Sequence, residues 1–393
     1  MAEMTHDELV ARADHIGKQA ALEVVEAEKA GCFSLALRDL VHESQIHLLL
    51  RPKRYGGFGM GPRTFSEVVR TVATYNASAA WLTYFTALHE QWVAFLPPAG
   101  RKEIHDTDGF VADIFFPCGQ IEYVDGGVIM SGEWKFGSGV LWDEWIGLGA
   151  IVEVQGYEAD GPQPSLVTVK TSEIEIVHDW DVFGLRGTGS NGVKVDRIFV
   201  PWRRVLPLQA VKNTGLPVGG EYDDDEPIYR IPFMPHFCVG FGAISVGAIQ
   251  SVGRNLKTRI EQRERMLYGV KEWESPIAQR NLGELLVKIA SIEALHERYV
   301  QQLEQWNDEN TPVTTEEDRN RMSAWRSEIC SQASQVGFRA MEMLGGMAAY
   351  SGDPMEIAAR DLFMISIHLG QIYDDNMLSY GRTQYGLSGH PLF

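Results

Sequence analysis

Apolar positions recur at helical spacing through roughly the first hundred residues. Residues 6–30, rich in Ala, Glu, Leu and Val, predict one long helix. Arg54-Tyr55-Gly56-Gly57-Phe58-Gly59 reads as a turn. The helical pattern resumes at Phe65 and runs through Trp81, His89 and Phe95, until Pro97, Pro98 and Gly100 stop it. From about residue 111 the period shortens to two. Residues 124–136 read as a hairpin turning at Asp125-Gly126-Gly127. β-Branched alternation continues through 146–154 and 165–178 and ends in 193–201. Residues 213–227, with Asp223-Asp224-Asp225-Glu226-Pro227, read as a surface linker. Helical periodicity then returns over about 235–270, 276–307, 315–346 and 354–380. The pattern predicts an α+β chain: an N-terminal helical domain (1–112), a central β domain (113–212), a linker (213–227) and a C-terminal helical bundle (228–393).

With 393 residues the chain is too long for one ordinary core, which agrees with several domains. Hydrophobic residues make up 45% and charged residues 22%, a globular composition. The formal net charge of −18 speaks against nucleic-acid or anionic-membrane binding. No apolar run is expected to span a membrane. The acidic start, Met-Ala-Glu-Met-Thr-His-Asp-Glu, does not read as a signal peptide. Cys32, Cys118, Cys238 and Cys330 are far apart and form no metal-spaced pair; they suit a reducing cytoplasm. No histidine pair with nearby carboxylates has metal-ligand spacing, so no metal is expected.

Residues 184–190 read Gly-Leu-Arg-Gly-Thr-Gly-Ser. Gly184, Gly187 and Gly189 let the backbone turn sharply and approach a ligand, while Arg186, Thr188 and Ser190 supply donors. Such a loop can cradle an anionic, ring-bearing cofactor. A tight turn before a strand accounts for it equally well.

This domain order, with these motifs, resembles the acyl-CoA dehydrogenase fold, with its N-terminal helical domain, β-barrel-like middle domain and C-terminal four-helix bundle. The resemblance spans nearly the whole chain. It rests on residues 184–190 followed by Val200-Pro201, on Arg263-Glu264-Arg265 with Gly269 and Gln279, and on Leu344-Gly345-Gly346, Asp353-Pro354 and Arg360-Asp361. It implies a flavin between the β domain and the bundle, an Arg and a Gln reaching a neighbouring subunit's site, and a homotetramer. A dehydrogenase of this fold needs a carboxylate base. Its usual position is Leu369 here, and no Asp or Glu lies between Glu226 and Glu261, the region of the alternative position. Acyl-CoA dehydrogenation or oxidation is thereby disfavoured.

One subgroup fits better: the oxygenase components of two-component flavin-dependent monooxygenases. Ser78-Ala79-Ala80-Trp81, His89, Gly126-Gly127, the run from Trp134 to Gly139, and His390-Pro391 resemble its features. The resemblance implies reduced FMN or FAD delivered by a separate NAD(P)H-dependent reductase, reaction with O2 to a C4a-hydroperoxyflavin, and hydroxylation of a phenolic, polyketide or indolic molecule. Nitrogen oxidation of an amino sugar is a variant. Ser138 matches the position beside flavin N5. His89 and His390 are the candidate bases for the substrate's acidic proton. His89 follows Trp81 and Phe85 on one helical stripe, against the alternative of a buried helix face. Phe85, His236 and His368 are pocket candidates. Trp81, Phe116, Cys118, Trp134, Phe136, Arg263, Gln279, Gly345 and Gly346 are cofactor candidates, with Arg263 and Arg265 one helical step apart. Trp134 and Phe136 are expected to share a strand face, either on the flavin or in a core.

Overall fold

The computed structural model describes residues 4–154, 161–219, 226–265 and 269–389. Thr5 opens helix α1 (His6–Ala30) with a capping box: its hydroxyl accepts the Glu8 N–H while the Glu8 carboxylate accepts the Thr5 N–H. Helices α2 (Leu35–Glu43) and α3 (Pro62–Ala73) follow. The continuous helix expected up to Phe95 is interrupted twice. Asn76 is extended and accepts the Ala79 N–H, which starts α4 (Ala77–Leu88). His89 then separates α4 from α5 (Glu90–Phe95). Pro98 opens a new helix, α6 (Pro98–His105), at the position where a missing N–H costs nothing.

The β domain has strands β1 (Val111–Val124), β2 (Gly127–Trp134), β3 (Trp145–Val152), β4 (Gln163–Lys170), β5 (Glu175–Val177), β6 (Gly192–Pro201) and β7 (Val205–Pro207). They form one sheet in the order β5-β6-β2-β1-β3-β4-β7. The β1–β2 hairpin turns at Gly126, whose φ of 80° needs a residue without a side chain. β1 changes partner along its length. Its first residues pair in parallel with β3, and after a shift between Ile114 and Gly119 its later residues pair with β2. The sheet therefore folds over on itself. Val128, Met130, Trp134 and Val193 from one leaf pack with Ile146, Leu148, Val167 and Val169 from the other. Among the described residues the sheet keeps β5 and β7 as edges and does not close as a barrel. The first strand begins at Val111, just inside the expected boundary at 112.

Part of the expected linker is helical: α7 (Leu208–Thr214) ends in it and α8 (Pro227–Arg230) starts at its last residue. After α9 (Phe233–Phe237) comes the long α10 (Val239–Gln262), then a short hairpin, β8 (Glu264–Arg265) with β9 (Val270–Lys271). Helices α11 (Pro276–Asp308), α12 (Glu316–Leu344), α13 (Pro354–Ser366) and α14 (Tyr373–Thr383) complete the bundle. The segment from Phe233 to Gln262 corrects one expectation, because by length and composition it is apolar enough to cross a membrane. It is instead buried, with α3 on one side and α11, α12 and α13 on the others. The two helical parts thus share one core, and the β domain has its own.

The helix expected over 354–380 is split between Ser366 and Tyr373. There the His368 ring accepts the Gly370 N–H at 3.2 Å, a local bond that competes with helix continuation. The break turns His368 toward α4.

Candidate active site

Every residue of α4 is buried, as expected of a helix apolar on all sides. Burial alone therefore does not single out the Trp81–Phe85–His89 stripe; ring contacts do. Trp81 meets Phe85, Phe241 and His368 edge-on at centroid distances of 5.1, 5.4 and 5.6 Å. Phe85 lies 5.0 Å from the His89 ring. The stripe is one wall of an aromatic cluster completed by α10 and by the break before α14. His368 is the half-buried member of that cluster. Burial, with Arg326 nearby, lowers its pKa to about 4, so the ring is neutral at pH 7. Its Nδ1 accepts from Gly370, which leaves the proton on Nε2. His368 is a hydrogen-bond donor in this state.

Ser138 lies in the turn between β2 and β3, where its N–H bonds to the Phe136 carbonyl. The Trp81 indole donates to Ser138 Oγ at 3.0 Å. Ser138 Oγ is 2.9 Å from Ser190 Oγ, and Ser190 Oγ is 2.8 Å from Thr188 Oγ1. Thr188 closes the chain by donating to the Leu185 carbonyl at 2.8 Å. A carbonyl only accepts and each hydroxyl has one proton, so the direction is fixed. Thr188 spends its proton on Leu185, Ser190 spends its own on Thr188, and Ser138 spends its own on Ser190. Ser138 is left with one free lone pair and no free proton.

The glycine-rich loop that feeds this chain is a junction. Thr188, Ser190 and Leu185 are buried. The Leu185 N–H donates to Asp361 at 2.6 Å, Ser78 donates to the same carboxylate at 3.2 Å, and the Gly187 carbonyl accepts the Phe33 N–H. A Cβ on Gly184 would lie 2.3 Å from the Arg360 carbonyl oxygen, and one on Gly187 would lie 2.9 Å from the Phe33 ring. These glycines let the β domain touch α13 and the N-terminal helices. Close packing on protein accounts for both.

His89 is fully buried, and its Nδ1 bonds to the Val111 carbonyl. Its Nε2 lies 3.1 Å from Asp113 Oδ2. Nδ1 is thus engaged, while Nε2 and Asp113 Oδ2 face each other without a hydrogen bond to any described partner. Burial pushes His89 down to about 3 and pushes Asp113 well above the usual carboxylate range. Asp143, in the same turn as Ser138, is also pushed up by burial, with Asp113 adding to it. Sequence reasoning missed both acids. One signal was available: Asp113 is a lone charge inside the apolar run that opens β1, whose first four residues are all buried.

The other candidates separate into groups. Trp134 is a β-domain core residue whose indole donates to the Gly149 carbonyl at 2.9 Å, so it is not available to a cofactor face. Phe136 does not share its face: the strand ends at Trp134, Phe136 has φ 68°, and its ring is 64% exposed against Trp180. Phe116 is 60% exposed, and the exposed Cys118 thiol points to the Glu133 carbonyl. Arg263 donates to the Leu344 carbonyl at 2.9 Å, beside Gly345 and Gly346, and its own carbonyl accepts from Glu272. Gln279 bonds to the Trp273 carbonyl. These four therefore gather at one end of the bundle, and both polar side chains are exposed. No described hydrogen bond or ring contact joins them to Ser138. His236 is buried with neither nitrogen bonded, its pKa lowered to about 4 by burial. His390 and the Arg265 side chain lie outside the described residues; the chain before His390 is tied to α12 by the Gly389 N–H on Glu316 at 2.6 Å.

Ligand atoms of His42, His47 and Asp108 lie within 4.8 Å of one another, an arrangement the spacing did not reveal. The two rings are stacked at 4.7 Å, their Nε2 atoms lie 3.4 and 3.7 Å from Asp108, and Arg51 is 3.3 Å from the same carboxylate. The trio reads as the end of an ion-pair network that runs through Arg51 to Glu90 and His105.

Residues 239–371 match the family model described as acyl-CoA dehydrogenase, C-terminal domain. A pigment production hydroxylase of a Rhodococcus species is 25% identical over 348 residues, 88% of each chain. The oxygenase component of p-hydroxyphenylacetate 3-hydroxylase from Acinetobacter baumannii is 25% identical over 363 residues, 90% of this chain and 83% of that one. Among solved structures, XiaF from a Streptomyces species, in complex with FADH2 and glycerol, superposes with a TM-score of 0.88 at 21% identity, covering 98% of this chain and 96% of that one. The fold is acyl-CoA dehydrogenase-like.

Proposed function

We propose that this chain is the oxygenase component of a two-component flavin-dependent monooxygenase that hydroxylates a small aromatic molecule. The observation that carries the reading is the one-way hydroxyl chain ending at Ser138. Ser138 can accept a hydrogen bond and cannot offer one. That matches a ring N–H, which a reduced flavin carries at N5 and an oxidised flavin lacks. The residues present therefore fit reduced flavin. The relatives support the same reading, since the p-hydroxyphenylacetate enzyme is named an oxygenase component and XiaF was solved with FADH2. A separate NAD(P)H-dependent reductase would supply the reduced FMN or FAD.

When bound, reduced flavin supplies the electrons that activate O2 for transfer of one oxygen atom. The chain's own residues do the rest. Ser138 and Trp81 hold the edge of the cofactor, and the buried walls of α4 and α10 exclude water. A flat substrate lies against the Trp81, Phe85 and Phe241 cluster, and His368 donates its Nε2–H to a substrate oxygen or carbonyl. Arg263, Gln279, Gly345 and Gly346, gathered at the bundle end, serve a neighbouring subunit's flavin in a homotetramer. The enzyme works in the cytoplasm. Acyl-CoA oxidation finds no base here: Leu369 is apolar and 56% exposed. Mixing the protein with reduced flavin, O2 and a panel of phenols and indoles tests the reading; hydroxylated product supports it, and its absence across the panel while flavin binds counts against it.

A further inference from the structure

We propose that His89 and Asp113 form a pair sharing one proton, which serves this site as an acid, with Asp113 as the residue that positions His89. Nδ1 of His89 faces the Val111 carbonyl, which only accepts, so Nδ1 carries a hydrogen. The second ring nitrogen then meets Asp113 Oδ2 at 3.1 Å. With no proton between them, two buried acceptors would face each other, and both would go unpaired. One proton removes the conflict, whether on the carboxyl oxygen or on the ring. The pair is neutral as a unit either way and titrates as a unit.

The surroundings favour that count. Phe85 and Phe237 flank the imidazole, and the Trp92 indole is beside Asp113. Four ionisable groups on the packed elements act on the pair or feel it. Glu90 on α5 is already bonded to Arg51 and His105. Asp143 in the β2–β3 turn is buried and itself favours the neutral form. Tyr84 on α4 and Cys238 before α10 both feel the Asp113 charge and are held protonated by burial. A second proton would place a cation among aromatic rings. The pair is therefore suited to give a proton rather than to take the substrate's.

The inference rests on the proposed monooxygenase reading for its reaction. There, one atom of O2 enters product and the other leaves as water, with reduced flavin as electron source. The departing oxygen needs a proton. Transfer from the pair breaks its O–H or N–H bond and forms the new O–H bond. It leaves a carboxylate beside a neutral imidazole, and a solvent proton restores the pair.

The test uses flavin-free full-length protein, so it stands apart from the proposed activity. Infrared spectra of wild type minus Asp113→Asn at pH 7 should show the carbonyl stretch of a protonated carboxyl that shifts in D2O. Asp143→Asn, the control, should leave that band in place. His89→Gln should move the band, because Asp113 loses its acceptor; this variant also covers the case in which Asp113→Asn does not fold. In 15N-histidine spectra, the His89 Nε2 resonance should change in Asp113→Asn while Nδ1 stays protonated. Absence of a protonated-carboxyl band assignable to Asp113 together with an unprotonated His89 Nε2, or a band indifferent to His89→Gln, would overturn the pair. Wild type that shows the band yet oxidises no aromatic compound would instead count against the monooxygenase reading.

Discussion

Trp81 and Ser138 are joined by a 3.0 Å hydrogen bond across the seam between the N-terminal helices and the β domain. The bond ties the aromatic wall of α4 to a hydroxyl whose proton is already committed to Ser190. It also makes Ser138 the end of a chain that begins 52 residues later, at Ser190 and Thr188. What Ser138 can offer a ligand is thus decided in the glycine-rich loop.

Replacing Ser190 by Ala frees the Ser138 proton. Ser138 can then donate, and affinity for oxidised flavin should rise relative to reduced flavin. One neutral hydrogen bond is worth roughly 0.5–1.5 kcal/mol, about a two- to ten-fold change in that ratio. Fluorescence titration of oxidised flavin and anaerobic titration of reduced flavin measure it. An unchanged ratio would remove the chain from the account.

Ser138→Ala removes the acceptor and leaves the Trp81 N–H unpaired. The fold should persist by circular dichroism, while product formed per O2 falls about two- to ten-fold and H2O2 rises to match. Wild-type coupling in this variant would place Ser138 outside the site.

Gly184→Ala and Gly187→Ala test the loop as a junction. Backbone at Arg360 and the Phe33 ring must give way, at a cost of roughly 1–3 kcal/mol each. Both variants should melt lower. Unchanged melting together with weaker flavin binding would restore the reading of these glycines as a cofactor cradle.

That loop shows what was legible in the chain and what was not. The run of three glycines announces close backbone approach but not what approaches; Arg360 and Phe33 are distant in sequence and meet the loop only in the fold. The same holds for His89. Its stripe with Trp81 and Phe85 follows from helical spacing, yet its partners come from β1, which no local pattern links to α4. The order of domains and the β1–β2 hairpin were readable because period and turn residues are local signals. The breaks at Asn76 and His368 were not, because a side chain bonding to nearby backbone overrides a continuous apolar pattern. Trp134 and Phe136 do not share the expected face because the strand ends between them.

Asp361 gives a pH signature. Burial, with Glu28 adding to it, raises its pKa to about 7, although Leu185 and Ser78 donate to it. The folded state therefore holds a proton that the unfolded chain releases near pH 4. The associated stability is full below that point, is lost as pH rises through about 7, and levels about one unit higher. Asp361→Asn should flatten this component, so the gap in melting temperature between variant and wild type should change between about pH 5 and pH 8 and stay constant above. A gap independent of pH over that window would mean Asp361 is ionised throughout.

The most direct measurement of the central claim is isotopic. The protein, a flavin reductase with NADH and flavin, and a panel of phenols and indoles are incubated under 18O2, and products are read by mass spectrometry. The account predicts one 18O atom in a hydroxylated aromatic product and no such product when the reductase is omitted. Label appearing in no aromatic compound although the protein binds reduced flavin, or a protein-held flavin that acyl-CoA reduces directly, would contradict it.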